Sequence, residues 1–388
     1  MRRQLGALFA FCVIDTLGFG LLIPLVPYMA TRFGIAPQYI TPILGSYSLC
    51  QLLAAPFWGR LSDRYGRRPI LMSSLAGACV SYALLGLAGN VWWLLASRVL
   101  AGLMAGNISA AFAYASDVSA PERRAASLGL VGAAIGIGFT LGQPLGGLLA
   151  GPDAMSANFG LSALASCGLS LLAIALVQQV LPESHTPEHR AQQPDQRRRY
   201  AWELLRERPT LAYLAAATLT VTFSQAILES IFAIWAWHRY GFGPRAVGFL
   251  LFAVALPALL MQGGLVRVLV PRLGEVRLAA AGIVVYVAGL VALGTGANLG
   301  VTITGLLLCG LGLGAYNPSA SALASKQSGG HDRGAVLGTY AASASLARVL
   351  GPFSSGALYA LLGASGPFLV GACVTLPAVL LLRRARSA

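Results

Sequence analysis

Four ionisable side chains lie inside long apolar stretches of the sequence: Asp15, Arg98, Glu229 and Arg348. An ionisable group in the middle of a membrane-spanning helix costs about 2.5–3.5 kcal/mol even on the most lenient insertion scale, so each is a functional candidate. A carboxyl group in a low-dielectric cavity favours its protonated form and can load and release a proton. Asp15 and Glu229 are therefore predicted protonation or cation-binding sites, with Arg98 favouring the charged form.

Each of these residues also has a structural alternative. Asp15 could form a structural ion pair with an arginine. Glu229 is displaced towards the outer half of its apolar stretch, which weakens its assignment to proton binding. Arg348 could pair with one of the acids or bind an anionic substrate.

A second charged cluster is the segment GRLSDRYGRRP, residues 59–69, in a chain with only 10% charged residues. An anion is stabilised at a helix N-terminus, so Asp63 could accept hydrogen bonds from helix amides of the other half of the chain. Arg67 or Arg68 could bridge to Asp117. Membrane anchoring alone would explain the arginines but not the acid or the glycines. The candidate residues of this cluster are Gly59, Asp63, Arg64, Gly66, Arg67, Arg68 and Asp117.

The composition indicates a membrane protein. The 388 residues are 56% hydrophobic and carry a net charge of +14, and the mean hydropathy is +0.71. Soluble domains are about 45–50% apolar and about 25% charged. The arginines form short clusters without interleaved aromatics, which argues against a nucleic-acid partner and for orientation in a lipid bilayer.

Apolar windows of about 20 residues, the length needed to cross a bilayer, predict twelve spans. Both termini are predicted to be cytoplasmic, because 22 of the 27 basic residues then lie on the inner side and three on the outer side. The first apolar run continues through Pro24 and Pro27 without a cleavage site, which favours a retained span over a signal peptide. The spans cover about 6–30, 41–59, 70–89, 92–116, 125–150, 158–181, 210–237, 246–269, 278–297, 300–324, 334–362 and 365–382.

The chain divides into two similar halves. The polar stretch 182–209 is predicted to be a cytoplasmic linker between six-helix bundles at 1–181 and 210–388. A shift of 208 residues carries Gly102 to Gly310, and a shift of 209 carries Gly142 to Gly351. Two parallel six-span halves around a central site are typical of alternating-access transporters.

Specific motifs strengthen this interpretation. Residues 59–68 resemble the best-known signature of the major facilitator superfamily, and residues 98–106 resemble the motif of its proton-coupled members. Residues 138–147 are similar to its antiporter motif, and residues 15–27 are similar to span 1 of tetracycline efflux pumps. The predicted antiporter-motif residues are Gly138, Gly142, Pro144, Gly146 and Gly147.

The resemblance implies an all-α membrane protein with twelve helices in two pseudo-symmetric bundles. It implies export of small lipophilic compounds, drug-like or tetracycline-like, in exchange for protons, with residues 59–68 latching the outward-facing state. It also implies a monomer. The short loops and short chain suit a bacterial inner membrane.

The sequence departs from the tetracycline pumps at two places and from the superfamily's antiporter motif at a third. Ser81 stands where those pumps have an acid on span 3, span 9 has no acid, and Pro144 is one residue late in its motif. The open alternatives are export of a metabolite such as a sugar or siderophore, uptake by symport, or a non-transporting membrane sensor. An intramembrane enzyme is a further alternative, but no catalytic pair, metal spacing or phosphate loop is visible, so no enzyme, metal or cofactor is predicted.

A substrate cavity and a set of inert cysteines complete the prediction. The aromatic residues of the predicted cavity could instead be core or lipid-facing residues. The six cysteines lie in apolar runs and are predicted to be small buried hydrophobes. The predicted cavity residues are Gln51, Asn107, Phe112, Gln225, Phe232, Trp235, Gln262, Tyr316, Asn317 and Arg348, with Tyr47 as a further wall.

Overall fold

The computed structural model describes residues 2–120, 123–184, 201–327 and 333–387. All regular structure in these ranges is helical. Eleven helical segments are long and apolar enough to cross a membrane. The twelfth, Arg333–Leu362, has 30 residues but contains two arginines and several serines. The predicted twelve-helix fold is therefore confirmed, while residues 185–200 of the predicted linker lie outside the described residues.

The helix bounds follow the predicted spans closely, and a short helix, Ala201–Glu207, precedes span 7. Span 1 comprises Arg2–Leu22 and Val26–Arg32, span 2 is Pro37–Tyr65, span 3 is Arg67–Gly86, span 4 comprises Val91–Leu103 and Asn107–Asp117, span 5 is Arg124–Ala150 and span 6 is Phe159–Val180. Span 7 is Pro209–Tyr240, span 8 runs from Pro244–Leu260 through the π-helical turn Met261–Leu265 to Val266–Leu273, span 9 is Glu275–Thr295, span 10 is Leu299–Lys326, span 11 is Arg333–Leu362 and span 12 comprises Gly366–Thr375 and Ala378–Ser387.

Local sequence signals explain most helix ends. The breaks in spans 1 and 12 fall beside Pro24 and Pro377, because proline lacks the amide hydrogen of a helical bond. Asn90 and Asn298 lie at the starts of spans 4 and 10, and each side-chain oxygen accepts a bond from a backbone amide in the first turn. These two caps are 208 residues apart, which is the shift that relates the halves of the sequence.

The chain forms two compact units. Unit 1 contains Met1–Ala36, Ser46–Asp195 and Ala236–Phe252, and unit 2 contains Pro37–Gly45, Gln196–Trp235 and Ala253–Ala388. Unit 1 therefore includes the start of span 8 from the second half, and unit 2 includes the start of span 2 from the first half. The exchanged segments occupy equivalent positions in the internal repeat.

Glycine packing within each unit shows why these segments are exchanged. A Cβ on Gly147 of span 5 would lie 2.6 Å from the carbonyl oxygen of Pro244, where span 8 begins. A Cβ on the equivalent Gly356 of span 11 would lie 2.8 Å from the Cα of Gln38, where span 2 begins. The repeat is thus visible in the packing neighbours and not only in the sequence.

Spans 1 and 5 pack with backbone against backbone. A Cβ on Gly142 would lie 2.6 Å from the carbonyl oxygen of Leu17, and a Cβ on Gly138 would clash with the carbonyl oxygen of Val13. A Cβ on Gly146 would likewise clash with the carbonyl oxygen of Leu21. Small residues allow this approach because no side chain separates the helices. Gly138, Gly142 and Gly146 therefore fix the distance between spans 1 and 5.

Gly142→Ala is expected to destabilise the protein, whereas Gly132→Ala on the same helix is not. The new methyl group would meet the backbone of span 1, and overpacking of this kind costs about 1–3 kcal/mol. Gly132 has open space at its Cβ position, so its substitution adds only the helix-propensity gain of about 0.5–1 kcal/mol. Thermal unfolding of both purified variants measures the difference, and equal melting temperatures would contradict the close-packing account.

Candidate functional site

Gly66 forms the sharp corner between spans 2 and 3. Its φ of 106° is a conformation that L side chains rarely adopt. A Cβ at this position would also lie 2.5 Å from an oxygen of Glu183. The corner therefore requires glycine for its backbone conformation and for the carboxylate packed against it.

Arg67 organises the charged cluster beside this corner. Its side chain is only 7% exposed. Its Nε donates to Asp117 at 3.0 Å, and its Nη1 donates to Asp63 at 2.7 Å and to Ser62 at 3.0 Å. A buried guanidinium can stay charged at this place because two carboxylates compensate its positive charge. The predicted bridge from this loop to Asp117 is thus present, and Arg67 makes it.

Glu183 occupies the N-terminus of span 3. Its two carboxylate oxygens accept from the backbone amides of Arg67 at 2.8 Å and Arg68 at 3.1 Å. The positive end of the helix dipole favours a carboxylate at this place. Sequence reasoning predicted that Asp63 accepts from helix amides of the other half of the chain. The structure shows Asp63 paired with Arg67, and the amides at the start of span 3 are capped by Glu183. Glu183 directly follows a proline after span 6, and nothing in its local sequence indicated this partner.

Two further members of the predicted latch contribute differently. Arg68 donates from Nη2 to the carbonyl of Gln178 at 2.6 Å, which ties the loop to span 6. Arg64 stacks over the ring of Tyr65 at 5.4 Å. Gly59 has open space at its Cβ position, so close packing does not require glycine there.

The break in span 4 positions a polar side chain inside unit 1. The helix stops after Leu103 and restarts at Asn107. Ser74 of span 3 accepts from the amides of Gly106 and Asn107, each at 3.0 Å, and donates to the carbonyl of Met104. Trp58 of span 2 donates to the carbonyl of Leu103 at 2.6 Å. Two neighbouring spans therefore satisfy the backbone groups that the break exposes.

Asp15 is the buried carboxylate of unit 1. It is 7% exposed, and Asn107 donates to it from Nδ2. The break in span 4 therefore places its first helical residue against the acid of span 1. No ion pair between Asp15 and an arginine occurs among the described residues, so the alternative of a structural ion pair is not realised in this conformation.

Arg98 was predicted to lie near Asp15 and favour its charged form, and no hydrogen bond or ion pair joins the two among the described residues. Arg98 is 4% exposed, and its Nε lies 3.5 Å from the hydroxyl of Ser97. Its Nη2 has no hydrogen-bond partner among the described residues. Tyr82 lies within electrostatic range of both Asp15 and Arg98. The site in unit 1 thus contains a carboxylate bonded to an amide and, near it, a guanidinium with unused donor capacity.

Unit 2 contains a second membrane carboxylate with similar bonding. Gln225 donates from Nε2 to Oε1 of Glu229 at 2.8 Å, one turn along span 7. Arg348 of span 11 lies within electrostatic range of Glu229. Gly351 brings the two helices together, because its Cβ would lie 2.6 Å from that of Ala226. Glu229 and Arg348 are both exposed, unlike their flanking residues Leu228, Ser230, Ala347 and Val349.

The predicted substrate cavity is only partly supported. Phe232 and Trp235 are fully buried core residues, and Trp235 packs edge-on against Phe368 at 5.4 Å. Tyr316 is also buried and hydrogen-bonds to Thr218 at 2.9 Å. These three assignments to the cavity wall were wrong, because the helices that carry them show no sequence periodicity that separates core from cavity. The residues with accessible surface are Gln51, Asn107, Phe112, Gln225, Gln262, Asn317 and Arg348.

A separate cavity opens in unit 1. Its volume is about 440 Å³, and its lining includes Arg32, Phe33, Asn158 and Phe159 at the ends of spans 1 and 6. None of the predicted cavity residues lines it.

Twelve membrane-length helices, an internal repeat and a carboxylate inside each unit define an integral membrane protein of the two-bundle transporter class. The family model of the Major Facilitator Superfamily matches residues 8–293 and 214–388. The chain belongs to this superfamily, and it is a transporter and not an enzyme.

Individual relatives agree with this assignment. The tetracycline resistance protein, class C, of Escherichia coli is 31% identical over 96% of this chain and 94% of its own length. Major facilitator superfamily domain-containing protein 10 of Homo sapiens is 28% identical over 95% of this chain and 90% of its own length. The crystal structure of the human organic anion transporter MFSD10 superposes with a TM-score of 0.74 at 25% identity, covering 98% of this chain and 99% of that one.

Gly66→Ala is expected to disrupt the charged corner, whereas Gly59→Ala in the same motif is expected to be tolerated. The substituted residue at position 66 would be strained at a positive φ and would displace the Glu183 carboxylate, at a cost of about 1–3 kcal/mol for the backbone strain alone. Thermal unfolding and transport assays in membrane vesicles measure the effect. A Gly66→Ala variant with the stability and activity of Gly59→Ala would refute the role of this corner.

Proposed function

We propose that this transporter exports small lipophilic compounds in exchange for protons by alternating access. The observation that carries the proposal is the bonding of the two membrane carboxylates. Asp15 is bonded to Asn107 and Glu229 to Gln225, so each acid has a side-chain amide as its hydrogen-bond partner.

An amide partner suits a carboxyl group that changes its charge state. The amide NH₂ donates to an ionised carboxylate, and the amide oxygen can accept from a protonated one. Neither state then leaves a buried polar group without a partner, which would cost about 1–3 kcal/mol. An arginine partner, in contrast, would strongly favour the ionised state. Amide bonding therefore supports repeated proton uptake and release.

The remaining parts of the proposal rest on sequence. The exporter direction is supported by the glycine-rich motif on span 5 and by the tetracycline resistance relatives. The distribution of basic residues supports cytoplasmic termini, and the short loops suit a bacterial inner membrane. The proposed partners are the lipid bilayer, protons and a small lipophilic substrate, with the protein acting as a monomer.

Asp15→Asn and Glu229→Gln test the coupling in proteoliposomes with an imposed pH gradient. A panel of lipophilic dyes and tetracyclines provides the substrates. We expect either substitution to reduce gradient-driven flux at least tenfold, because the side chain can no longer exchange a proton. Asp153→Asn is the matched control, since Asp153 lies in the exposed loop between spans 5 and 6.

Three results would contradict the proposal in different ways. Equal wild-type flux with and without the gradient would exclude proton coupling. Undiminished gradient-driven flux in both variants would exclude these carboxylates. No movement of any panel compound would favour a dedicated metabolite exporter, for example of a sugar or siderophore, or a membrane sensor that does not transport.

A second candidate substrate class is organic anions. Arg98 is buried with an unpartnered Nη2, and a buried guanidinium gains from a bound carboxylate, sulfonate or phosphate group. The human relative of known structure, MFSD10, is an organic anion transporter.

Arg98→Gln and Arg98→Lys distinguish the two substrate classes. If Arg98 binds an anionic group, Arg98→Gln lowers the transport of a carboxylated dye at least tenfold. Transport of the uncharged methyl ester of the same dye stays unchanged. Arg98→Lys then restores part of the transport of the carboxylated dye, because the charge is kept and the planar donor fork is lost. Equal losses for acid and ester in Arg98→Gln would exclude an anion-binding role.

A further inference from the structure

Two of the six cysteines lie side by side in unit 1. The Sγ atoms of Cys79 on span 3 and Cys167 on span 6 are 2.8 Å apart, and the Cys79 thiol also lies 3.8 Å from the carbonyl oxygen of Cys167. A disulfide bond needs an S–S distance of about 2.05 Å, so the two sulfur atoms need to move only a short way to form one. Sequence reasoning treated all six cysteines as inert hydrophobes and had no signal for this contact across 88 residues.

The helices that carry the pair are fixed against each other. A Cβ on Gly86 of span 3 would lie 3.0 Å from the Cβ of Ala163 on span 6, and Gly160 follows one turn away. Both helices belong to unit 1. The two thiols are therefore held together by helix packing and do not depend on a chance encounter of mobile segments.

The thiols are accessible from the outer face of these helices. Both cysteines are partly exposed. The adjacent Val80 is 53% exposed, and Leu164 and Leu171 are 66% and 56% exposed. Large apolar side chains that are exposed on a membrane-spanning helix face lipid. A lipophilic reagent dissolved in the bilayer could therefore reach the pair.

We propose that Cys79 and Cys167 form a redox-active dithiol that lipid-soluble hydroperoxides oxidise to a disulfide linking spans 3 and 6. One thiol sulfur attacks a peroxide oxygen, the O–O bond breaks, and the alcohol leaves with a proton. The second sulfur attacks the resulting sulfenic acid, forming the S–S bond and releasing water. Two electrons pass from the two sulfurs to the peroxide, and a thiol reductant reverses the reaction.

The linked helices border the Asp15 site. Tyr82, one turn after Cys79, lies within electrostatic range of Asp15. Ser166, next to Cys167, donates to the carbonyl of Gly18 on span 1 at 2.8 Å. The disulfide would therefore tie span 3 to span 6, the helix that is bonded to span 1 near its carboxylate, and oxidation is expected to stabilise unit 1.

A full-length protein with a protease site inserted in the loop at residues 151–158 tests the proposal. The purified protein is treated with cumene hydroperoxide, blocked with N-ethylmaleimide and then cleaved. We expect the two fragments, which carry Cys79 and Cys167 respectively, to migrate together on a non-reducing denaturing gel and apart after dithiothreitol. Separation without reductant, after complete cleavage, would overturn the proposal.

Two sets of variants assign the bond and its effect. Cys79→Ser and Cys167→Ser, and the alanine equivalents, are expected to abolish the linkage, whereas Cys373→Ser on span 12 retains it. Oxidised wild type is expected to melt several degrees above the reduced protein, with no such shift in Cys79→Ser. Linkage that persists in Cys79→Ser would show that other thiols react, and an unchanged melting temperature would exclude the bracing effect.

Discussion

The structure depends on one constraint, which is that polar groups inside hydrocarbon must find their partners within the protein. Two departures from continuous apolar helix in unit 1 show how this is met. The break in span 4 is bonded by Ser74 and Trp58, and Asp15 is bonded by Asn107. A charged group that does not meet the constraint is Nη2 of Arg98, which has no partner among the described residues. In a membrane protein an unsatisfied buried cation is a functional candidate, so this exception directs attention to the substrate.

The same constraint links the helix break to the chemistry. A break exposes amides and carbonyls, and a neighbour must satisfy them. Ser74 does this by accepting from Gly106 and Asn107 while donating to Met104. These bonds hold Asn107 at the start of a helix, with its side chain against Asp15. The hydrogen bond of the Asp15 carboxylate therefore depends on Ser74, which does not touch it. Ser74 acts by holding Asn107 in position.

The features that the sequence predicted are those with local or periodic signals. Span lengths follow from apolar runs, and the repeat follows from glycines such as Gly147 and Gly356 at a constant offset. Arg67 was identified because it belongs to a known motif, and Asp117 because it lies at the end of the apolar run of span 4.

The missed residues lack any such signal. Glu183 meets the amide of Arg67 across 116 residues, and Trp58 meets span 4 across 45. Phe232 and Trp235 were misassigned because the polar and apolar residues of span 7 form no amphipathic pattern that marks one face as core. Tertiary packing alone decides which of its faces becomes core.

Each of the two membrane carboxylates has its own side-chain amide as a partner, but the carboxylates differ in their exposed surface. Asp15 is enclosed, so a proton can reach it only if the protein opens around Asn107 or admits water. Glu229 has more exposed surface, with Arg348 in electrostatic range. Proton exchange at Asp15 therefore requires a structural change. Alternating access supplies such a change in each cycle, and this makes Asp15 the better placed of the two to couple a proton to the movement of unit 1.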